Sequence, residues 1–151
     1  MGKILVYIAL LFATTVMAGE IHWAKDYKTG MEMAKKQNKP VMFLISRNTC
    51  KYCNMLKATT LKDKKVIKAL NRDFIAIVSK LEKHDYIPDE LRAPGLPTTW
   101  FLLPSGEPMF QPLMGMVDTK NYMVALAVVK ETFDEQNKGK KTDGFYKYKK
   151  K

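Results

Sequence analysis

Cysteine and histidine are scarce in this 151-residue chain, with two of each. Two cysteines cannot hold together a small multi-disulfide scaffold, and by themselves they cannot fill a four-cysteine zinc site. Zinc would need two more ligands. His22 and His84 are far apart and belong to no His-x3-5-His pair, so no metal is expected. Acidic residues are also few: 15 Asp plus Glu stand against 26 Lys plus Arg, a formal charge of +11. Hydrophobic residues nevertheless reach 46%, which excludes a mostly disordered chain. The length suits one compact domain rather than two, and no internal repeat is present.

The longest apolar run lies at the start of the chain. Lys3 is followed by nine apolar residues over 4–12, then by Val16-Met17-Ala18 and Gly19-Glu20. This pattern predicts a secretory signal peptide over 1–18, cleaved after Ala18. The run is short for a bilayer span, and an uncleaved anchor is the alternative. No cysteine lies at the cleavage point, which excludes a lipid-modified one. Export implies an oxidising compartment in which a cysteine pair can cycle through a disulfide. The expected address is the periplasm, with full secretion as the alternative. The folded domain is then expected over 19–137, followed by a basic tail over 138–151.

That tail holds seven lysines and one aspartate. It reads as a solvated, poorly ordered segment, or alternatively as a docking tail for an acidic partner or anionic lipid. Much of the positive excess therefore sits outside any folded recognition motif, and nucleic acid is not an expected partner.

Between these ends, Trp23, Tyr27, Met31 and Ala34 recur at roughly helical spacing, predicting a helix over 27–37 that Pro40 stops. The continuous apolar run 41–45 predicts a buried strand. A polar loop over 46–49 leads to a helix opening near Cys50, with Met55 and Leu56 expected to face inward. Val66, Ile67 and Leu70 mark a short helix, and residues 74–78 a second buried strand. The charged stretch 80–94 is expected to be irregular with one short helix. A third strand over 98–103, a turn at Pro104-Ser105-Gly106-Glu107 and a fourth strand over 109–114 form an antiparallel hairpin. Tyr122, Leu126, Val129 and Phe133 give a last helix one apolar face. Met31, Met33, Met42, Met55, Met109, Met114, Met116 and Met123 read as gap-filling core residues. The fold class is α/β, with a mixed sheet flanked by helices.

Cys50-Lys51-Tyr52-Cys53 carries the chemistry. Two thiols at this spacing can meet across one helical turn. At a strand-to-helix junction they are unequal: Cys50 lies where the helix N-terminus stabilises a thiolate, and Cys53 lies one turn in, more buried. Lys51 adds positive charge nearby. A structural or metal-binding pair is the alternative. A second feature is Gly95-Leu96-Pro97-Thr98, which puts a proline at the entry of an apolar strand. A loop of this kind could lie against the Cys50 sulfur and offer the Leu96 backbone to an extended peptide.

Together these pieces resemble the thioredoxin superfamily, and within it the exported thioredoxin-like branch. The likeness covers the Trp23 and Lys39-Pro40 approach to the first strand, strand 41–45, the Cys50–Cys53 pair, strand 74–78, Gly95-Leu96-Pro97-Thr98 and the hairpin around Ser105-Gly106. The resemblance implies a central four- to five-stranded mixed sheet flanked by helices, a cis bond before Pro97, a nucleophilic Cys50 and a resolving Cys53. It leaves Lys51, Tyr52, Leu96, Pro97 and Thr98 to shape the site, and no cofactor beyond the redox-active disulfide. The chain departs from the family in three places. Thr49 stands where many thioredoxins have Trp, Lys51-Tyr52 replaces Gly-Pro, and the buried family aspartate falls near Leu44. Lys80 matches the lysine that partners that aspartate in the family, and reads equally well as a solvated residue at a strand end.

The expected function is that of an exported thiol–disulfide oxidoreductase on protein disulfides, acting as reductant more than oxidant. The expected partners are protein thiols and disulfides, and a membrane electron donor of the DsbD or CcdA type. A monomer is expected. The alternative is a binding or chaperone module whose cysteines are not catalytic.

Overall fold

A computed structural model describes the backbone of residues 19–147 and the side chains of residues 19–138. The signal peptide expected over 1–18 and the last four residues of the tail lie outside the described residues. Helix α1 (Tyr27–Gln37) is followed by strand β1 (Val41–Ser46), helix α2 (Lys51–Ala58), helix α3 (Lys64–Asp73) and strand β2 (Ile75–Lys80). Strand β3 (Thr98–Leu102), the short strand β4 (Leu113–Met114) and helix α4 (Thr119–Lys147) complete the order.

The four strands form one mixed sheet in the order β2-β1-β3-β4. β1 runs parallel to β2 and antiparallel to β3, and β4 runs antiparallel to β3. All six residues of β1 are buried because helices cover both faces of the sheet. The alternation of a strand divides them. Met42 and Leu44 face a core shared with Leu56 of α2, Val66, Ile67 and Leu70 of α3, and Tyr122, Leu126 and Val129 of α4. Val41, Phe43 and Ile45 face a second core with Met31 and Ala34 of α1, Ile77 and Leu91. Burial of each such Leu, Ile or Phe contributes about 1.5–3 kcal/mol.

Local chemistry sets the helix starts. Asp26 caps α1 by accepting from the Thr29 N–H at 2.7 Å, and Asp63 caps α3 by accepting from the Lys65 and Val66 N–H groups. The Thr29 N–H, with the Thr29 hydroxyl, holds Asp26 below the usual carboxylate range, and the Asn121 N–H and side-chain amide, with the Lys120 N–H, do the same for Asp118 at the start of α4. Asn38 ends α1 in the left-handed conformation, at φ 49°. Gly30 is required for space: a Cβ there would fall inside the Ile77 side chain, so α1 sits directly on β2.

Several expectations are corrected. Trp23 lies ahead of the first helix, in a parallel bridge to Ala76 that widens the sheet edge beside β2. Asp26 caps the helix, which spans Tyr27–Gln37 as the spacing predicts. Strand β2 lies later than 74–78, because Phe74 closes α3, whose N–H bonds the Leu70 carbonyl at 3.0 Å. The hairpin turn forms with Gly106 at φ 98°, but its return strand is two residues rather than six. Pro108 and Pro112 lack N–H donors, which leaves only a bridge at Leu102 and Pro108 and a short ladder at Leu113–Met114. The stretch after Lys80 holds two 3-10 turns, Leu81–Lys83 and Asp89–Leu91, rather than one. Met55 and Met114 are exposed, whereas Met31 and Met42 are buried. On α2 the inward positions are Cys53 and Leu56, and Met55 falls off that face. The helical backbone also continues past 137 to Lys147, where Lys is a good helix former. The basic tail therefore starts as an extension of α4.

Candidate active site

β1 ends at Ser46, and the chain turns through residues 47–50 into α2. This turn is held at several points. The Cys50 N–H bonds the Arg47 carbonyl at 3.3 Å, the Asn54 side chain donates to the Asn48 carbonyl at 2.8 Å, and the Asn48 N–H donates to the Glu82 carboxylate at 3.4 Å. Cys50 is the N-cap of α2, with extended backbone angles of φ −86° and ψ 113°. Its sulfur accepts from the Cys53 N–H at 3.1 Å, and its carbonyl accepts from the Asn54 N–H at 3.1 Å. The sulfur thus takes the place of the oxygen that usually caps a helix, against unpaired N–H groups and the positive end of the helix.

Cys50 and Cys53 form a disulfide with Cα atoms 5.2 Å apart. The two sulfurs are unequal: Cys53 is fully buried, while Cys50 is partly exposed. Lys51 and Tyr52, between them, face solvent, with Tyr52 56% exposed. Among the described residues, no group of three or more His, Cys, Asp and Glu side chains is placed to hold a metal.

The second sequence feature reaches the same end of the sheet. Thr98, the first residue of β3, pairs with Ile45, so the 95–97 loop emerges beside the end of β1 that leads to Cys50. The Leu96–Pro97 peptide bond is cis. Thr98 Oγ1 donates to the Gly95 carbonyl at 2.6 Å, and the Pro97 carbonyl accepts from the Gly115 N–H at 2.8 Å, which pins the loop on both sides. Pro97 and Thr98 are buried and Leu96 is half-exposed. The Leu96 backbone N–H and carbonyl have no hydrogen-bond partner among the described residues.

A sequence profile of the thioredoxin-like domain matches residues 27–130, from the first residue of α1 well into α4. The chain belongs to the thioredoxin-like domain family. This thioredoxin-like domain superposes on a thioredoxin from Thermus thermophilus with a TM-score of 0.62 at 24% identity, covering 73% of this chain and 87% of that one. The reduced C-terminal domain of DsbD from Neisseria meningitidis gives 0.54 at 24% identity, covering 66% and 90%. A DsbH oxidoreductase gives 0.56 at 15% identity, covering 80% and 92%. These likenesses concern the fold. Among curated proteins, anterior gradient protein 3 of Mus musculus is 33% identical over 58 residues, which is 38% of this chain and 35% of that protein. Anterior gradient protein 2 of Xenopus laevis is 34% identical over 58 residues, 31% of its length. The match thus spans about a third of those relatives. A thioredoxin-like fold that closes a Cys50–Cys53 disulfide at a helix start is an arrangement able to exchange thiols and disulfides.

Lys80 also lies at this end of the sheet, where it pairs with Ser46. Its side chain lines a cleft of about 320 Å³ with Leu44, Lys57, Trp23 and Val78. Leu44 stands where the family places its acid; the carboxylate that lines this cleft, Glu20, meets Lys62 at 3.4 Å, and Lys80 lies near Lys57. Burial, and then the charge of Lys80, lower the pKa of Lys57, with Glu82 opposing.

Three residues near the pair were not singled out in the sequence. Ser46 is fully buried, and its hydroxyl has no hydrogen-bond partner. Lys57 follows Cys53 by one turn of α2, a spacing that the helical period would have revealed. Arg47 precedes Cys50 by three residues in the turn and was visible there as an isolated charge.

Proposed function

We propose that this chain is an exported thiol–disulfide oxidoreductase that reduces disulfides in other proteins through Cys50 and Cys53. One observation carries most of the weight. The Cys50 sulfur caps α2 and accepts the Cys53 N–H, so the reduced form has a thiolate site at the partly exposed sulfur.

In the reduced enzyme the Cys50 thiolate attacks one sulfur of a substrate disulfide. The substrate S–S bond breaks, a Cys50–substrate disulfide forms, and the first substrate sulfur leaves as a thiolate that takes up a proton. Cys53 then gives up its proton and attacks Cys50. The second substrate sulfur leaves, and the Cys50–Cys53 disulfide closes. Two electrons and two protons have passed to the substrate. Burial of Cys53 keeps it from competing with Cys50 for substrate and reserves it for this second step. The unpartnered Leu96 backbone can hold an extended substrate chain as an added strand. A membrane electron donor of the DsbD or CcdA type would return the pair to the dithiol. The signal-peptide pattern over 1–18 supports a periplasmic address, where such a cycle is needed.

Equilibration of the Cys50–Cys53 pair against glutathione buffers tests both activity and direction. A potential near about −270 mV is expected for a reductant. A value near about −120 mV would reverse the electron flow. Failure to form a reversible disulfide would leave the binding-module alternative.

A further inference from the structure

A cleft of about 380 Å³ opens beside the 95–98 loop. Ile45, Leu81, Ile87 and Leu96 form its apolar floor, continuous with the core under α1. Its charged lining residues are Arg47 and Arg92, and no acidic side chain lines it. The Arg47 side chain is exposed and forms no hydrogen bond or ion pair among the described residues. Arg92 is also exposed, and its guanidinium meets Asp89 at 2.9 Å, an ion pair open to solvent that a competing carboxylate can share.

Two links tie this cleft to the reacting sulfur. Arg47 accepts the Cys50 N–H through its carbonyl at 3.3 Å. Leu96 and Thr98, which flank Pro97, both line the cleft. A peptide held along the Leu96 backbone with its cysteine at Cys50 would therefore pass the mouth of the cleft. A side chain entering it meets an apolar floor and two guanidinium groups, which suits a short methylene stem ending in a carboxylate.

Building on the oxidoreductase reading, we propose that the Arg47–Arg92 cleft is a substrate subsite that takes an acidic side chain, glutamate above all, close to the cysteine under attack. Arg47 and Arg92 touch the substrate's flank and not its reacting atoms, so they set which disulfides are reduced rather than how.

The test uses the reduced full-length protein and synthetic heptapeptides. Each peptide carries one central cysteine capped as a methyl disulfide, with Glu, Gln or Lys at either of the two positions on each side. The neutral bis(2-hydroxyethyl) disulfide serves as a substrate with no flank. At low salt the Glu peptides are expected to react about tenfold faster than the Lys peptides at one or two positions, with Gln between. The preference should shrink with added salt. Arg47→Gln should remove most of it, Arg47→Lys should keep part, and the double Arg47→Gln/Arg92→Gln variant should abolish it. Each variant's peptide rates are divided by its own rate on bis(2-hydroxyethyl) disulfide, which cancels any change at Cys50 itself, and both arginines are exposed, so the fold tolerates the changes. Lys68→Gln, on α3 across the sheet, is the control for net charge and should leave the preference intact. No Glu preference at any position would overturn the subsite, as would a preference that survives the double variant or falls equally with Lys68→Gln. No exchange with bis(2-hydroxyethyl) disulfide would instead overturn the oxidoreductase reading on which the subsite rests.

Discussion

The two ends of strand β1 differ in how completely their polar groups are satisfied. At the start, the Pro40 carbonyl accepts the Ile75 N–H at 3.0 Å, and Val41 is buried between paired neighbours. At the other end, the Ser46 hydroxyl is buried without a partner, Arg47 has no ion pair among the described residues, and the Leu96 backbone is unpaired. Tyr52, Met55 and Met114 are exposed. A buried polar group without a partner costs about 1–3 kcal/mol, so such groups are rare unless the rest of the fold offsets them. The Ser46 hydroxyl is such a group beside the cysteine pair, and the exposed Arg47 and half-exposed Leu96 add polar groups open to another chain. The packed end supplies stability, and the open end spends some of it on a surface that can receive another chain.

This contrast can be broken most sharply at Cys50. Cys50→Ser is expected to lower disulfide-exchange activity at least about 1000-fold while leaving the thermal midpoint near that of the reduced wild type. Steady-state turnover and a melting curve read the two quantities separately. The opposite pattern is expected at Gly30, where the added side chain meets Ile77. Gly30→Val should destabilise by about 1–3 kcal/mol in urea, with the exchange rate of the remaining folded protein unchanged.

Tyr122 is a milder case. Its hydroxyl is fully buried and meets no partner at hydrogen-bond geometry, and burial pushes its pKa well up, with Thr99 pulling weakly the other way. Tyr122→Phe should therefore be neutral or stabilising by about 1 kcal/mol. A clear loss of stability would show that the hydroxyl is in fact bonded.

The smallest effect is expected at Lys57, whose pKa burial lowers below its ordinary 10.5. A lysine held below its unfolded value binds fewer protons when folded, so stability rises with pH between the folded value and 10.5. Below that window the charge is a burden on the fold. Lys57→Met should stabilise by about a few tenths of a kcal/mol at neutral pH, and the gain should vanish as pH passes above the window. Denaturant midpoints measured across that range decide it.

Much of the fold was legible because its signals are local. The apolar run 41–45 has no polar face to expose, so it had to be a strand covered on both sides, and it is. The Cys-x-x-Cys spacing brings two sulfurs together across one helical turn wherever a helix starts at the first, and α2 starts there. The proline before β3 marked a corner for the same reason. The misreadings fall where two local signals compete or where a partner is distant. Trp23 fits a helical period, but the Ala76 backbone across the sheet claims its segment. Residues 109–112 are apolar enough for a strand, but the prolines at 108 and 112 remove the donors that a ladder needs. Arg92 gave no sign of joining Arg47, because 45 residues and three elements separate them and only the register of β1 with β3 closes the gap.

The sequence by itself determined the elements, the burial of β1 and the pairing of two thiols at a helix start, because each depends on residues within one or two turns of chain. Tertiary structure decided the rest. It set Lys80 beside Lys57, left the Ser46 hydroxyl buried without a partner, and placed two arginines around one cleft. Those relations arise from strand register and from helices packing on both faces of a sheet, and no stretch of the chain contains them alone.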